Sequence, residues 1–154
     1  MVTTPARDDF DITVDVLVIG AGACGFTAAL AARAAGADVA VVEKLDRLAG
    51  NTMLSSGSIP AAGTRLQAAA GIVDDPARFA ADLRRVAGPH DADHLVDRLA
   101  GIATEAVHFL IDEAAVDLTL VTSYRHVGHT VHRLHAPPSR KGADLMGDLE
   151  RAVT

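Results

Sequence analysis

The run Gly20-Ala21-Gly22-Ala23-Cys24-Gly25 restricts this chain more than any other stretch, because its three glycines stand between an apolar run and an alanine-rich one. Val14, Val16, Leu17, Val18 and Ile19 are short in extent and largely β-branched, which predicts a parallel strand buried on both faces. The first glycine permits a tight turn, the second lets backbone approach a pyrophosphate, and the third lets helix and strand pack closely. The helix expected through about Ala35 aims its free N–H groups and positive dipole end at the same point, so no lysine is needed to hold an anion there. Gly36 stops that helix and Val39 to Val42 make a second strand. Glu43 then follows 23 positions after Gly20, the spacing of an acid that accepts hydrogen bonds from both ribose hydroxyls. Strand, turn, helix, strand and acid together form a Rossmann-like βαβ unit for the ADP half of a dinucleotide. Glu43 would repel a 2′-phosphate, which leaves FAD or NAD as the expected cofactor.

Composition narrows the class. The chain has 154 residues, 49% of them hydrophobic, enough for the core of one α/β domain or part of one. Fourteen basic against twenty acidic residues give a net charge of −6, and only four Phe and one Tyr are present. With no basic stripe and no interleaved aromatics, neither nucleic acid nor an anionic membrane is an expected partner. Cys24 is the single cysteine, so no internal disulfide forms and a reducing compartment, the cytoplasm, is expected. Its place inside the glycine turn predicts a small buried packing residue. Residues 1–13 read as a polar lead with neither a signal peptide nor a membrane anchor.

Residues 14–154 read as a partial nucleotide-binding domain in three stretches. The βαβ unit and a loop rich in Gly, Ser and Asn occupy 14–63, with no helical or strand periodicity from Leu48 to Gly63. A helical insert occupies 64–116. Asp74-Asp75-Pro76 opens one helix to about Ala87, Gly88-Pro89 ends it, and Asp91 caps a longer one through about Ala115. Leu95, Leu99, Ile102, Ala106 and Leu110 are the expected buried stripe of that second helix. In 117–154, Asp117 to Val121 suggests a short strand, Tyr124 to Pro138 irregular or extended backbone, and Gly142 to Val153 an amphipathic helix. No third parallel strand follows, and a two-stranded pair with both edges open buries little, so the sheet is expected to be incomplete.

The stretches FDITVDVLVIGAGACGFTAALAARAAGADVAVVEK, LAGNTMLSSGSIPAAGT and HTVHRLHAPPSRKGADLMGDLERAV resemble FAD-dependent oxidoreductases of the fumarate reductase and succinate dehydrogenase flavoprotein family, including the soluble 3-ketosteroid dehydrogenase-like members. The resemblance implies FAD as cofactor and places Gly20, Ala21, Gly22, Ala23 and Gly25 at its pyrophosphate. It places Glu43 on the adenosine ribose with Lys44 beside it. Gly50, Asn51 and Thr52 would lie along the pyrophosphate and ribityl chain, and Ser55, Ser56 and Gly57 near the flavin ring. Ala49 and Ser58 stand where the family has glycine. Full-length members are several-fold longer, which implies an N-terminal portion, a missing C-terminal part or partner chain, and a small-molecule substrate bound by the whole enzyme. The implied reaction is hydride transfer between the flavin and a carbon next to a carbonyl or carboxylate. Catalytic residues are not assigned, and the isolated chain is expected to be inactive. A non-enzymatic adenine-dinucleotide module and a fragment of an NAD-linked dehydrogenase are the other readings; the loop from Gly50 to Gly57 favours flavin.

His126, His129, His132 and His135 recur every third residue. Such spacing gathers imidazoles for a metal only on a helix. The β-branched neighbours, Gly128 and Pro137-Pro138 argue for extended backbone instead, so no metal site is expected. By the same resemblance, His132 or Arg133 would help polarise a substrate carbonyl or carboxylate.

Overall fold

The computed structural model describes residues 10–154; most of the expected lead, residues 1–9, lies outside the described residues. Strand β1 (Val16–Ile19) leads through the glycine turn into helix α1 (Ala23–Ala34), and strand β2 (Val39–Val42) lies parallel to β1 with Val16 opposite Val39 and Ile19 opposite Val42. Helix α2 (Asn51–Leu54), strand β3 (Ile59–Pro60) and helix α3 (Arg65–Ala69) follow, all within or beside the stretch expected to lack periodicity. Helices α4 (Pro76–Ala87) and α5 (Asp93–Asp112) pack on each other. Strands β4 (Thr119–Leu120) and β5 (Leu134–Ala136) precede the last helix, α6 (Gly142–Val153). The strands form two sheets, the parallel pair β1-β2 and an antiparallel trio in the order β3-β5-β4. This is the expected α/β unit with a helical insert and an unclosed sheet.

The boundaries follow local chemistry. Asp75 caps α4 by accepting the Arg78 N–H at 2.8 Å, Pro76 fills the first turn, and Gly88 ends the helix at φ +67°. Helix α3 carries a reciprocal capping box. The Thr64 hydroxyl accepts from the Gln67 N–H while Gln67 Oε1 accepts from Thr64 N–H. The Thr-x-x-Gln pattern that signals this helix start is present in the sequence.

Four expectations are corrected. Strand β1 is not buried on both faces: Val16 and Val18 face inward, but Leu17 and Ile19 are 56% and 83% exposed. With two strands, α1 covers only one side. Helix α5 begins after Ala92 with no side-chain cap from Asp91. It also turns another stripe inward, burying Val96, Ala100, Ala103, Val107 and Leu110 while leaving Leu95, Leu99 and Ile102 exposed. Both stripes have helical spacing. The one holding Ala100 and Ala103 lets the helix come close to the core that includes Phe79 and Ala80 of α4. Finally, Cys24 is exposed, because it lies along an open apolar groove with Ile59, Ala106 and Leu145 rather than packed inside the glycine turn.

Candidate functional site

Each glycine of the turn has a distinct geometry. Gly20 has φ +105°, a conformation that favours glycine, and its N–H bonds to Val42 O at 2.7 Å, tying the end of β1 to β2. A side chain on Gly25 would collide with the Gly20 carbonyl oxygen and press on Val18, so this glycine sets the closeness of helix and strand. Gly22 is different: its φ of −78° suits any residue, and nothing lies within 4 Å of where a side chain would begin. The open space beside Gly22 leaves backbone free to meet a ligand. No acidic residue stands in the first turn of α1 and no side chain caps it, so its N–H groups keep their positive end.

Glu43, just past β2, reaches back onto the turn. Its Oε2 accepts the Ala21 N–H at 2.8 Å and its Oε1 accepts the Leu45 N–H at 3.1 Å. The Ala21 bond, followed by that of Leu45, holds the carboxyl below the usual carboxylate range. Each oxygen retains a lone pair for a further donor. Turn, helix end and acid therefore meet at one point, and the residues present fit the ADP half of a dinucleotide.

The loop 50–57 is positioned by α6. Gly142 N–H donates to Ser55 O at 2.7 Å, and a side chain on Gly142 would collide with the Thr52 carbonyl oxygen. Gly50 precedes α2 at φ +94°, Asn51 is exposed, and Thr52 is half-buried. Ser55 Oγ donates to Thr52 O at 2.8 Å and accepts the Gly57 N–H at 3.0 Å, while Gly57, at φ +65°, packs against Pro137 and Gly142. At its other end α6 meets α1, where Arg33 Nη2 donates to Ala152 O at 2.5 Å. One helix thus braces both the glycine turn's helix and the 50–57 loop. Lys44 and Ser56 are exposed, and the Ser56 and Ser58 hydroxyls bond to each other at 2.9 Å. Gly142 was not among the expected site residues; its contact lies across chain-distant elements.

Arg133 does not serve the substrate role expected of it. Its side chain is fully buried and spans two acids, with Nε and Nη2 on Asp74 at 2.9 and 2.8 Å and Nη1 on Asp82 at 2.6 Å. Burial would raise both carboxyl pKa values, but the Arg133 bonds and those from Gln67, Arg85 and Thr130 outweigh it and hold both low. The guanidinium also lies 4.9 Å from the Phe79 ring centre. Nothing in the local sequence marks this network, whose members are 59 and 51 positions apart.

The histidines separate. A turn closed by His129 N–H on His126 O, at 3.0 Å, sets those two rings 5.2 Å apart, so this part of the segment is folded back rather than extended. His132 Nδ1 stands 3.2 Å from Tyr124 O. His135 is fully buried on β5 with Nε2 2.8 Å from Thr64 Oγ1. Among the described residues, no group of three or more His, Cys, Asp or Glu is placed to hold a metal, and no helix is long and apolar enough to cross a membrane.

Residues 15–152 match the sequence model of the FAD binding domain family. The chain belongs to that family. This FAD-binding domain is 35% identical over 143 residues to a probable fumarate reductase, Ifc3, of Shewanella frigidimarina, covering 92% of the chain and 24% of that protein. It is 34% identical to the urocanate reductase of Eggerthella lenta, covering 95% of the chain and 24% of the relative. Among solved structures, the open conformation of a flavocytochrome c3 fumarate reductase superposes with a TM-score of 0.81 at 34% identity, over 92% of the chain and 25% of that structure. Members named 3-oxosteroid 1-dehydrogenase match over a shorter stretch or at lower identity. The domain spans about a quarter of the length of the curated relatives it matches most fully. Its cofactor is FAD.

Proposed function

We propose that this FAD-binding domain is the N-terminal portion of a flavoprotein oxidoreductase, with a lead at residues 1–13 and a partial cofactor domain at 14–154. The Gly20–Gly25 turn, through Gly20, Ala21, Gly22, Ala23 and Gly25, faces the FAD pyrophosphate. Glu43, with Lys44 beside it, takes the adenosine ribose. Gly50, Asn51 and Thr52 run along the pyrophosphate and ribityl chain, and Ser55, Ser56 and Gly57 approach the flavin ring. The observation that carries the assignment is the Glu43 to Ala21 hydrogen bond, which draws the ribose-binding acid onto the open backbone at Gly22. Bound flavin supplies hydride chemistry toward a carbon next to a carbonyl or carboxylate. The protein's own part is orientation and electrostatics, and the remaining machinery and the small-molecule substrate belong to a further portion of chain or a partner. We assign a cytoplasmic location from the chain's single cysteine, Cys24, whose free, exposed thiol suits a reducing compartment.

Titrating FAD into the chain and following flavin absorption and fluorescence tests the assignment. Gly22→Ala and Glu43→Leu are each expected to weaken binding by about tenfold or more, the scale of one lost charge-assisted contact. FAD affinity equal to the parent in both variants removes the proposed site. Sustained turnover by the 154-residue chain with a general electron donor or acceptor would overturn its expected inactivity.

A further inference from the structure

The inward face of α1 carries Phe26, Ala29 and Leu30, all buried, and the next position at that helical spacing is Arg33. An apolar side chain would continue the stripe there. Arg33 instead extends from the last turn of α1 to the far end of α6, where Nη2 donates to Ala152 O at 2.5 Å and Nη1 lies 3.4 Å from Val153 O. Carbonyls in the last turn of a helix lack partners within it, and a guanidinium placed there also complements the negative end of the dipole. Below this contact the two helices share one core, with Leu30 of α1 and Leu145, Met146 and Leu149 of α6 all buried in it. Helix α6 has twelve residues and is about 18 Å long by helix geometry. At its opposite end Gly142 donates its N–H to Ser55 O at 2.7 Å and leaves no room for a side chain against Thr52 O. The rear of α1 and the 50–57 loop are therefore fastened to the two ends of one rigid element.

We infer that Arg33 is a positioning residue for FAD, acting through α6 to hold the 50–57 loop at a fixed distance from the Gly20–Gly25 turn. The inference rests on the assignment of that turn and Glu43 to the ADP half of FAD and of the loop to its ribityl and flavin half. FAD spans both fastened parts, whereas ADP meets only the turn and Glu43. A loop already held in register binds the second half without the cost of ordering it, so Arg33 contributes to FAD affinity and not to ADP affinity. Its side chain stands at the opposite end of α1 from the turn and touches neither half of the site.

The 154-residue chain is titrated with FAD, followed by flavin fluorescence, and with ADP, followed by calorimetry. Arg33→Met keeps the apolar stem and removes both donors. It should weaken FAD by about fivefold, the scale of one lost hydrogen bond, and leave ADP within about twofold of the parent. Arg33→Lys retains a charged donor for the α6 carbonyls and should restore most of the FAD affinity. Amide hydrogen exchange without any ligand reads the same brace directly: in Arg33→Met the N–H groups of Gly142 and Gly57, both bonded to Ser55, should exchange faster. Unchanged FAD affinity in Arg33→Met, equal weakening of FAD and ADP, or unchanged exchange at Gly142 each overturns the inference. A parent that fails to bind ADP overturns the cofactor assignment itself, and the exchange measurement distinguishes that failure from failure of the brace.

Discussion

At Gly25 and Gly22, two residues of one motif answer to different demands, and alanine separates them. Gly25→Ala drives a methyl into the Gly20 carbonyl oxygen and should lower stability by about 1–3 kcal/mol, the usual cost of overpacking. Gly22→Ala meets no atom within 4 Å and has an ordinary φ, so its melting temperature should stay near the parent's while its FAD affinity falls. Thermal denaturation of both variants beside FAD titration checks the contrast. Equal destabilisation by both would show that Gly22 also packs. The same reasoning covers Gly142, where a methyl meets Thr52 O, and Gly142→Ala should loosen the 50–57 loop from α6.

At the level of elements, α5 shows why spacing alone was insufficient. Two apolar stripes run along it, and the contact with α4 chose the one containing small residues. Leu110→Ala, at a buried position, should cost about 2–5 kcal/mol, whereas Leu99→Ala should stay within about 0.5 kcal/mol. Urea denaturation of the two variants decides it, and a larger loss at Leu99 would reverse the assigned face. The joint between α4, the 72–75 segment and β5 is made by Arg133 with Asp74 and Asp82. Arg133→Met strands two carboxylates in the interior and should cost about 3–5 kcal/mol, measured by the same denaturation. A loss under about 1 kcal/mol would mean that the site admits water.

For the molecule as a whole, acid should weaken the fold in two legs. His129 and His135 titrate below their ordinary 6.5, in both cases chiefly through burial. The unfolded chain therefore binds their protons first, so their contribution is complete above 6.5 and declines as pH falls below it. His135 is faced by Thr64, the Ile59 carbonyl and, by charge, His108. Asp74 and Asp82 lie below their ordinary 3.8, so their contribution is present above that value and is lost at still lower pH. Urea midpoints should fall between about pH 7.5 and about pH 5, and His135→Gln should reduce the slope. A flat profile in the parent contradicts this account. The parallel sheet has one open face, with Leu17, Ile19 and Val42 exposed, as two strands cannot cover both sides. Much of this was readable along the chain: β1, β2 and α1 around the glycine turn, Glu43 beside it, the Asp75-Pro76 start of α4 and the bounds of α6 depend on neighbours a few positions away. Propensity, capping and glycine conformation act at that range. Which face of α5 turned inward, the burial of Arg133 and the brace from Gly142 to Ser55 depend on partners tens of positions apart. Only packing and desolvation in the folded chain decide between candidates that local pattern leaves equal.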